Sequence, residues 1–156
     1  MTLKLARIDD RLIHGQVIHG WLPRLDVDLL IVADRRLAEN EEEQLISRVA
    51  VPESVDVRFI APEELIMLLD VVQEHNTVIL FRTPEAALDA VEHGFDLDAL
   101  NLGNLHFEPG KMQLRKTFCC SDRELAALHK LLDRGIEMSY QPAPDVKRTA
   151  VELPRA

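Results

Sequence analysis

Short apolar runs alternate with amphipathic stretches along the whole chain. Leu3 to Ile8 reads as a first strand. Val17, Ile18, Trp21, Leu22 and Leu25 then recur at helical spacing, so a helix follows. Val27 to Ala33 is a near-continuous apolar run, the pattern of a parallel strand buried on both faces. Leu37 to Val49 reads as a second helix, with Glu39, Glu41, Glu42 and Glu43 near its start, where the helix dipole favours acids. Val55 to Ile60 predicts a third strand, and Pro62 in a first-turn position opens a helix that reaches Glu74. Thr77 to Phe81 is a fourth strand. Thr83-Pro84-Glu85 pairs an N-cap with a proline at the first helical position, and that helix ends at Gly94. Ala99 to Leu102 predicts a short fifth strand. Met112 to Cys119 alternates as one strand with a wetter face. Ser121-Asp122-Arg123-Glu124 fits a capping box, and Leu125, Leu128, Leu131 and Leu132 give its helix a buried face that Gly135 terminates. Ile136 to Gln141 is a last strand, and the tail from Pro142 is expected to wrap the surface.

This alternation predicts an α/β fold: an open, mostly parallel, twisted sheet with helices on both faces, its last strand or strands free to run antiparallel. Repeats and linkers are absent, so residues 1–156 are expected to form a single domain. Ligands in such folds bind outside the carboxyl ends of the strands. Four loops therefore matter: Asp9 to His14, Asp34 to Arg36, Phe81 to Thr83, and Gly103 to Gly110.

Composition narrows the function. The 156 residues are 47% hydrophobic and 29% charged, a globular balance, with a net charge of −9. That charge argues against general nucleic-acid binding and against docking on an anionic bilayer. The longest stretch free of Asp, Glu, Lys and Arg runs from Leu12 to Pro23, far short of the roughly 20 apolar residues of a membrane span. The opening MTLKLARIDD lacks the apolar core of a signal peptide, so a cytoplasmic location is expected. Cys119 and Cys120 are adjacent and too few for a disulfide scaffold or a thiolate metal site. The bland reading, a small pair in a strand, fits them best.

The richest chemistry lies after the first strand, in Arg7-Ile8-Asp9-Asp10-Arg11-Leu12-Ile13-His14-Gly15-Gln16-Val17. Here the chain leaves the sheet's functional edge and enters a helix, whose first amides and positive dipole end suit a phosphoryl group. Gly15 permits close backbone approach. Arg11 offers a fork of donors to phosphate oxygens. His14 can take a phosphoryl group on one ring nitrogen if a carboxylate fixes the other, and Asp9 or Asp10 can supply it. The alternative is that His14 merely caps or packs the first turn. A receiver-domain site fails because the third strand ends Phe59-Ile60-Ala61-Pro62, without an acceptor aspartate. A metal site from His14 and His19 fails on helical spacing. Dinucleotide and P-loop signatures are missing. His19, His75, His93 and His129 read as structural, Trp21 as core, and Asn101-Leu102-Gly103-Asn104-Leu105-His106 as a turn at a strand's carboxyl end.

The segment from Arg7 to Val17 closely resembles the phosphorylation-site signature of IIB subunits of the bacterial phosphoenolpyruvate:sugar phosphotransferase system, mannose/fructose/sorbose family. Leu80-Phe81-Arg82-Thr83-Pro84-Glu85 and the Asn101 to His106 loop extend the resemblance over almost the whole chain. The resemblance implies a cytoplasmic phosphocarrier (a protein-phosphohistidine–sugar phosphotransferase), peripheral to the membrane through its partners. His14 would accept a phosphoryl group on Nδ1 from a phosphohistidine of IIA. It would pass the group to a sugar bound by the membrane subunits IIC and IID, with no cofactor and no metal. Arg11, Asp9 and Asp10 join His14 as catalytic candidates. Gly15, Gln16 and Arg7 are the phosphate-binding candidates. A homodimer is compatible with the family, and a regulatory phosphocarrier without its own permease is the alternative role. Asp34-Arg35, where relatives often read Asp-Asp, departs from the family pattern, and Arg35-Arg36 is expected to enlarge a basic rim.

Overall fold

The computed structural model describes residues 2–155. Its main sheet has seven strands in the order β3-β2-β4-β1-β5-β8-β9. These are β1 (Thr2–Asp9), β2 (Leu29–Ala33), β3 (Asp56–Ile60), β4 (Asn76–Phe81), β5 (Ala99–Asn104), β8 (Glu137–Tyr140) and β9 (Thr149–Ala150). All neighbours pair in parallel except β9, which returns antiparallel to β8. The proline-bearing tail thus does more than wrap the surface. It adds the antiparallel edge strand.

Period-two alternation sorts each central strand between two cores. Ile31 of β2 and Ile79 and Phe81 of β4 face α4 (Pro62–Leu68 as 3₁₀ turns, then Leu69–Glu74), α5 (Pro84–Glu92) and α6 (Asp122–Asp133). Leu30, Val32, Val78 and Leu80 face the other way, onto α1, which opens with π-helical turns over Gln16–Trp21 and closes at Leu22–Arg24. A parallel sheet covered on both sides follows from strands with no polar face.

Two expected elements divide. The helix read from Leu37 to Val49 is a pair, α2 (Arg35–Ala38) and α3 (Glu41–Ala50). Asp34 caps the first, accepting from the Leu37 amide at 3.0 Å, and Asn40 caps the second, accepting from the Glu43 amide at 3.0 Å. The Asn40 side chain competes for backbone donors and restarts the helix rather than letting one run through. The strand read from Met112 to Cys119 is an antiparallel hairpin, β6 (Met112–Arg115) and β7 (Phe118–Cys120). Lys116 and Thr117 make its turn without Gly, Asn or Pro, the usual signals. Thr117 Oγ1 donates to the Gly103 carbonyl at 2.6 Å, which ties the hairpin to the end of β5. Both cysteines are free and buried in β7, and burial pushes the Cys120 thiol up to about 12. The capping box of α6 forms as read, with Ser121 and Glu124 exchanging hydrogen bonds at 2.8 and 3.1 Å.

Candidate functional site

The site grows from the carboxyl end of β1, at the middle of the sheet. Opposite β1, strand β5 carries a bulge: Ile8 pairs with Leu102 but Asp9 pairs with Asn104, leaving Gly103 as the extra residue. The bulge brings Asn104 level with Asp9 and makes room beneath. A Cβ on Gly103 would overlap the Arg7 guanidinium. Gly103→Ala is therefore expected to cost about 2 kcal/mol by overpacking and to lower the melting temperature by about 4–8 °C. Differential scanning calorimetry would read the change.

Asp9 is the centre of the arrangement. Its side chain is 0% exposed, as is that of Arg7. Oδ2 accepts from Arg7 Nε at 3.1 Å, from His14 Nε2 at 2.8 Å and from Asn104 Nδ2 at 3.0 Å. Oδ1 accepts from the Arg11 amide at 3.1 Å. Burial works to raise the pKa of this carboxyl. The His14 hydrogen bond, the Arg7 charge and the Asn104 amide outweigh it and hold the group below the usual carboxylate range. An ionised carboxylate only accepts, so the proton of neutral His14 sits on Nε2 and the Nδ1 lone pair is left for chemistry.

The main chain of Asp9 also shapes the loop. The Leu12 amide donates to the Asp9 carbonyl at 3.0 Å, and Leu12 turns with φ of 56°, a left-handed conformation uncommon outside glycine. Burial of the Leu12 side chain among Val17, Trp21 and Leu37 offsets that cost. The loop then delivers His14, whose side chain is 15% exposed, to the start of α1. The His14 carbonyl accepts the first helical bond from Ile18 at 3.0 Å. Gly15 and Gln16 lie exposed in that first turn, where amides have no intrahelical partner. Arg11 is exposed beside a groove of about 220 Å³ lined also by Leu12, Ile13, Leu37, Ile46 and Arg82.

Two candidates stand elsewhere than expected. Arg7, read as a phosphate ligand, lies inside the protein with its donors committed. Its guanidinium donates to Asp9, to Asn101 Oδ1 at 2.6 Å, and to the carbonyls of Gln141 and Pro142 at 2.8 and 2.9 Å. It also stacks 5.2 Å from the centre of the Trp21 ring. Arg7 supports Asp9 from below and does not reach the surface a phosphate would touch. Asp10 engages His106 and makes no hydrogen bond to His14 among the described residues. Both of its oxygens hold His106: Oδ2 accepts from the His106 amide at 2.7 Å, and Nδ1 of the ring lies 2.7–2.8 Å from the carboxylate.

The other two loops converge as a brace. Arg82, after β4, makes a two-pronged pair with Asp34, after β2, at 2.9 Å for each bond. Burial works to raise the Asp34 pKa, but its bonds to Arg82 and the Leu37 amide keep it low. The rim expected of Arg35 and Arg36 is partly neutralised, since Arg35 pairs with Glu63 and Arg36 lies 3.8 Å from Glu43. Sequence reasoning missed the buttress of Asn101, Asn104 and the tail carbonyls, because their roles depend on the bulge and on where the tail returns. Among the described residues, no group of three or more His, Cys, Asp or Glu converges to hold a metal, and no helix is long and apolar enough to cross a membrane.

Comparison with known proteins locates this arrangement in a family. The family model described as PTS system sorbose subfamily IIB component matches residues 3–152. The N-acetylgalactosamine-specific phosphotransferase enzyme IIB component 1 of Escherichia coli (strain K12) is 33% identical over 145 residues, covering 92% of each chain. The mannose-specific EIIAB component of the same strain is 31% identical over 90% of this chain, which spans 44% of that larger protein. Among solved structures, the IIBSor domain of the sorbose permease from Klebsiella pneumoniae superposes with a TM-score of 0.84 at 27% identity, covering 96% of this chain and 93% of that one.

Proposed function

This chain belongs to the sorbose subfamily of IIB components of the sugar phosphotransferase system, and from that premise we propose that His14 is its phosphoryl carrier. The observation that carries the reading is the 2.8 Å bond from His14 Nε2 to a buried, ionised Asp9. The Nδ1 lone pair attacks phosphorus on a phosphohistidine of a IIA protein. The N–P bond in the donor breaks, and its electron pair returns to the donor ring. His14 then carries phosphate on Nδ1 and a proton on Nε2. That cationic ring faces Asp9, whose charge stabilises it as it forms, in the manner of a triad aspartate. Arg11 and the first amides of α1, at Gly15 and Gln16, neutralise the phosphoryl oxygens.

Transfer between two imidazoles needs alignment and charge compensation more than bond activation. The second transfer, to a sugar bound by the membrane subunits IIC and IID, regenerates neutral His14 with its proton still on Nε2. The carrier works in the cytoplasm at the membrane face. A IIA unit fused to a IIB unit in the mannose-specific EIIAB relative supports IIA as the donor.

The test is reconstitution with phosphoenolpyruvate, the two general phosphotransferase proteins and a matching IIA. The chain should gain an acid-labile, base-stable phosphate, and failure to gain one from a phosphorylated IIA would overturn the reading. In the same assay Arg11→Ala is expected to slow acceptance by on the order of 1–3 kcal/mol in barrier, the worth of a lost charged contact. Quench-flow rates would measure it, and an unchanged rate would remove Arg11 from the phosphate's surroundings.

A further inference from the structure

We infer that His106, held by Asp10, is the general base that takes the proton from the sugar hydroxyl during the second transfer. This rests on His14 as the phosphoryl carrier. The two transfers differ in one respect. Passage from imidazole to imidazole moves no proton that needs a new home. Passage to a hydroxyl does: the oxygen cannot become a stable phosphoester until its proton leaves.

The groups beside His14 are already occupied. Nδ1 of His14 is the leaving atom, and Nε2 carries a proton directed at Asp9. Asp9 accepts from four donors and is fully buried. Asp34 is engaged by the two prongs of Arg82 and by the Leu37 amide. Arg11 and Arg82 are permanent cations. Asp10 spends both oxygens on His106. The His106 ring is different. Its Nδ1 faces an acceptor, so in the neutral ring that nitrogen carries the proton and Nε2 presents a lone pair. The side chain is 56% exposed, and among the described residues no hydrogen bond engages Nε2.

The placement also fits. Asp9 and Asp10 are consecutive, their Cα atoms about 3.8 Å apart, and each holds one imidazole by the opposite nitrogen. The inner ring keeps Nδ1 free to carry phosphate. The outer ring keeps Nε2 free on a side chain that is more than half exposed. The loop bearing His106 is pinned: the Asp10 amide donates to the Asn104 carbonyl at 3.0 Å, and Lys111 Nζ donates to the His106 carbonyl at 3.1 Å while pairing with Glu124 at 3.2 Å. An exposed imidazole on a fixed backbone, with a carboxylate behind it, is arranged as a base and not as a mobile surface side chain.

The step balances. The hydroxyl oxygen forms a bond to phosphorus in line with the breaking P–Nδ1 bond, and the electron pair of that bond returns to His14. The hydroxyl proton passes to His106 Nε2. The resulting imidazolium is stabilised by Asp10 and later yields its proton to water.

The test separates the two half-reactions. Phosphorylated chain is prepared with IIA and presented to membrane vesicles bearing the matching IIC and IID, with N-acetylgalactosamine, sorbose and mannose as acceptors. With the sugar that discharges the wild-type protein, His106→Ala should lower discharge about 100-fold relative to acceptance from IIA. Added imidazole should restore discharge and leave acceptance unmoved. Asp10→Asn, a change in a positioning residue, should lower discharge less and respond less to imidazole, because the His106 ring remains. Equal loss in both half-reactions, or no loss in discharge, overturns the assignment of His106 while leaving His14 as carrier. Acceptance without discharge of the wild-type phosphoprotein by any of the three sugars overturns the sugar step and the base with it.

Discussion

His14→Ala is expected to reduce phosphate incorporation from IIA to background, a loss of about 10³-fold or more, because the ring nitrogen that bonds to phosphorus is gone. The fold should survive. Asp9 keeps its bonds to Arg7, Asn104 and the Arg11 amide when the ring is removed. The buried charge pair therefore stays compensated, and the lost bond from a ring that is 15% exposed costs about 1–2 kcal/mol. Radiolabelled phosphoenolpyruvate and a thermal melt on the same preparation check both halves. Labelling that persists in the variant would place the phosphate on another residue.

Asp9→Asn should harm both function and fold. The amide is nearly the same shape, but it removes the charge that compensates Arg7. That guanidinium has no other carboxylate partner among the described residues, and breaking a buried pair costs about 3–5 kcal/mol. For a domain of this size the melting temperature should fall by on the order of 10 °C. Acceptance of phosphate should slow by about 10²-fold, since the cationic ring formed on His14 loses its counter-charge.

The pH dependence gives an independent check. The folded Asp9 carboxyl lies below its ordinary value. Its share of stability is thus fully present above the unfolded carboxyl pKa of about 3.9 and is lost as pH falls through the folded value. Asp34 is depressed in the same direction and adds to the same acid limb. Melting curves between pH 7 and pH 2 should show Asp9→Asn with a shallower acid limb than wild type, and an identical limb would remove Asp9 from this role.

What the amino-acid pattern revealed follows from the range of the forces involved. Strands such as Val27 to Ala33 were visible because burial on both faces leaves an unbroken apolar run. The capping box at Ser121 and Glu124 was visible because a cap is a local contact. His14 and Arg11 were legible as candidates because they share one loop. The role of Asp9 against Asp10 was not, since adjacent acids look alike until the bulge at Gly103 sets Asn104 beside one and His106 meets the other. Arg7 was misplaced for a related reason. In sequence it is a cation near a phosphate site, but as the odd-numbered neighbour of Asp9 on β1 it points into the protein, where Asn101 and the carbonyls of a distant tail receive it. The split at Asn40 and the turn at Lys116 and Thr117 escaped because a capping side chain and a two-residue turn without glycine hardly disturb the hydrophobic pattern.

The most direct measurement is the nitrogen that carries phosphorus. Long-range proton–nitrogen correlation spectra of the phosphorylated, ¹⁵N-histidine-labelled protein resolve the two ring nitrogens of each histidine. Phosphorus on Nδ1 of His14, with the Nε2 proton retained opposite Asp9, is the predicted result. Phosphorus on Nε2, or on a histidine other than His14, would contradict it.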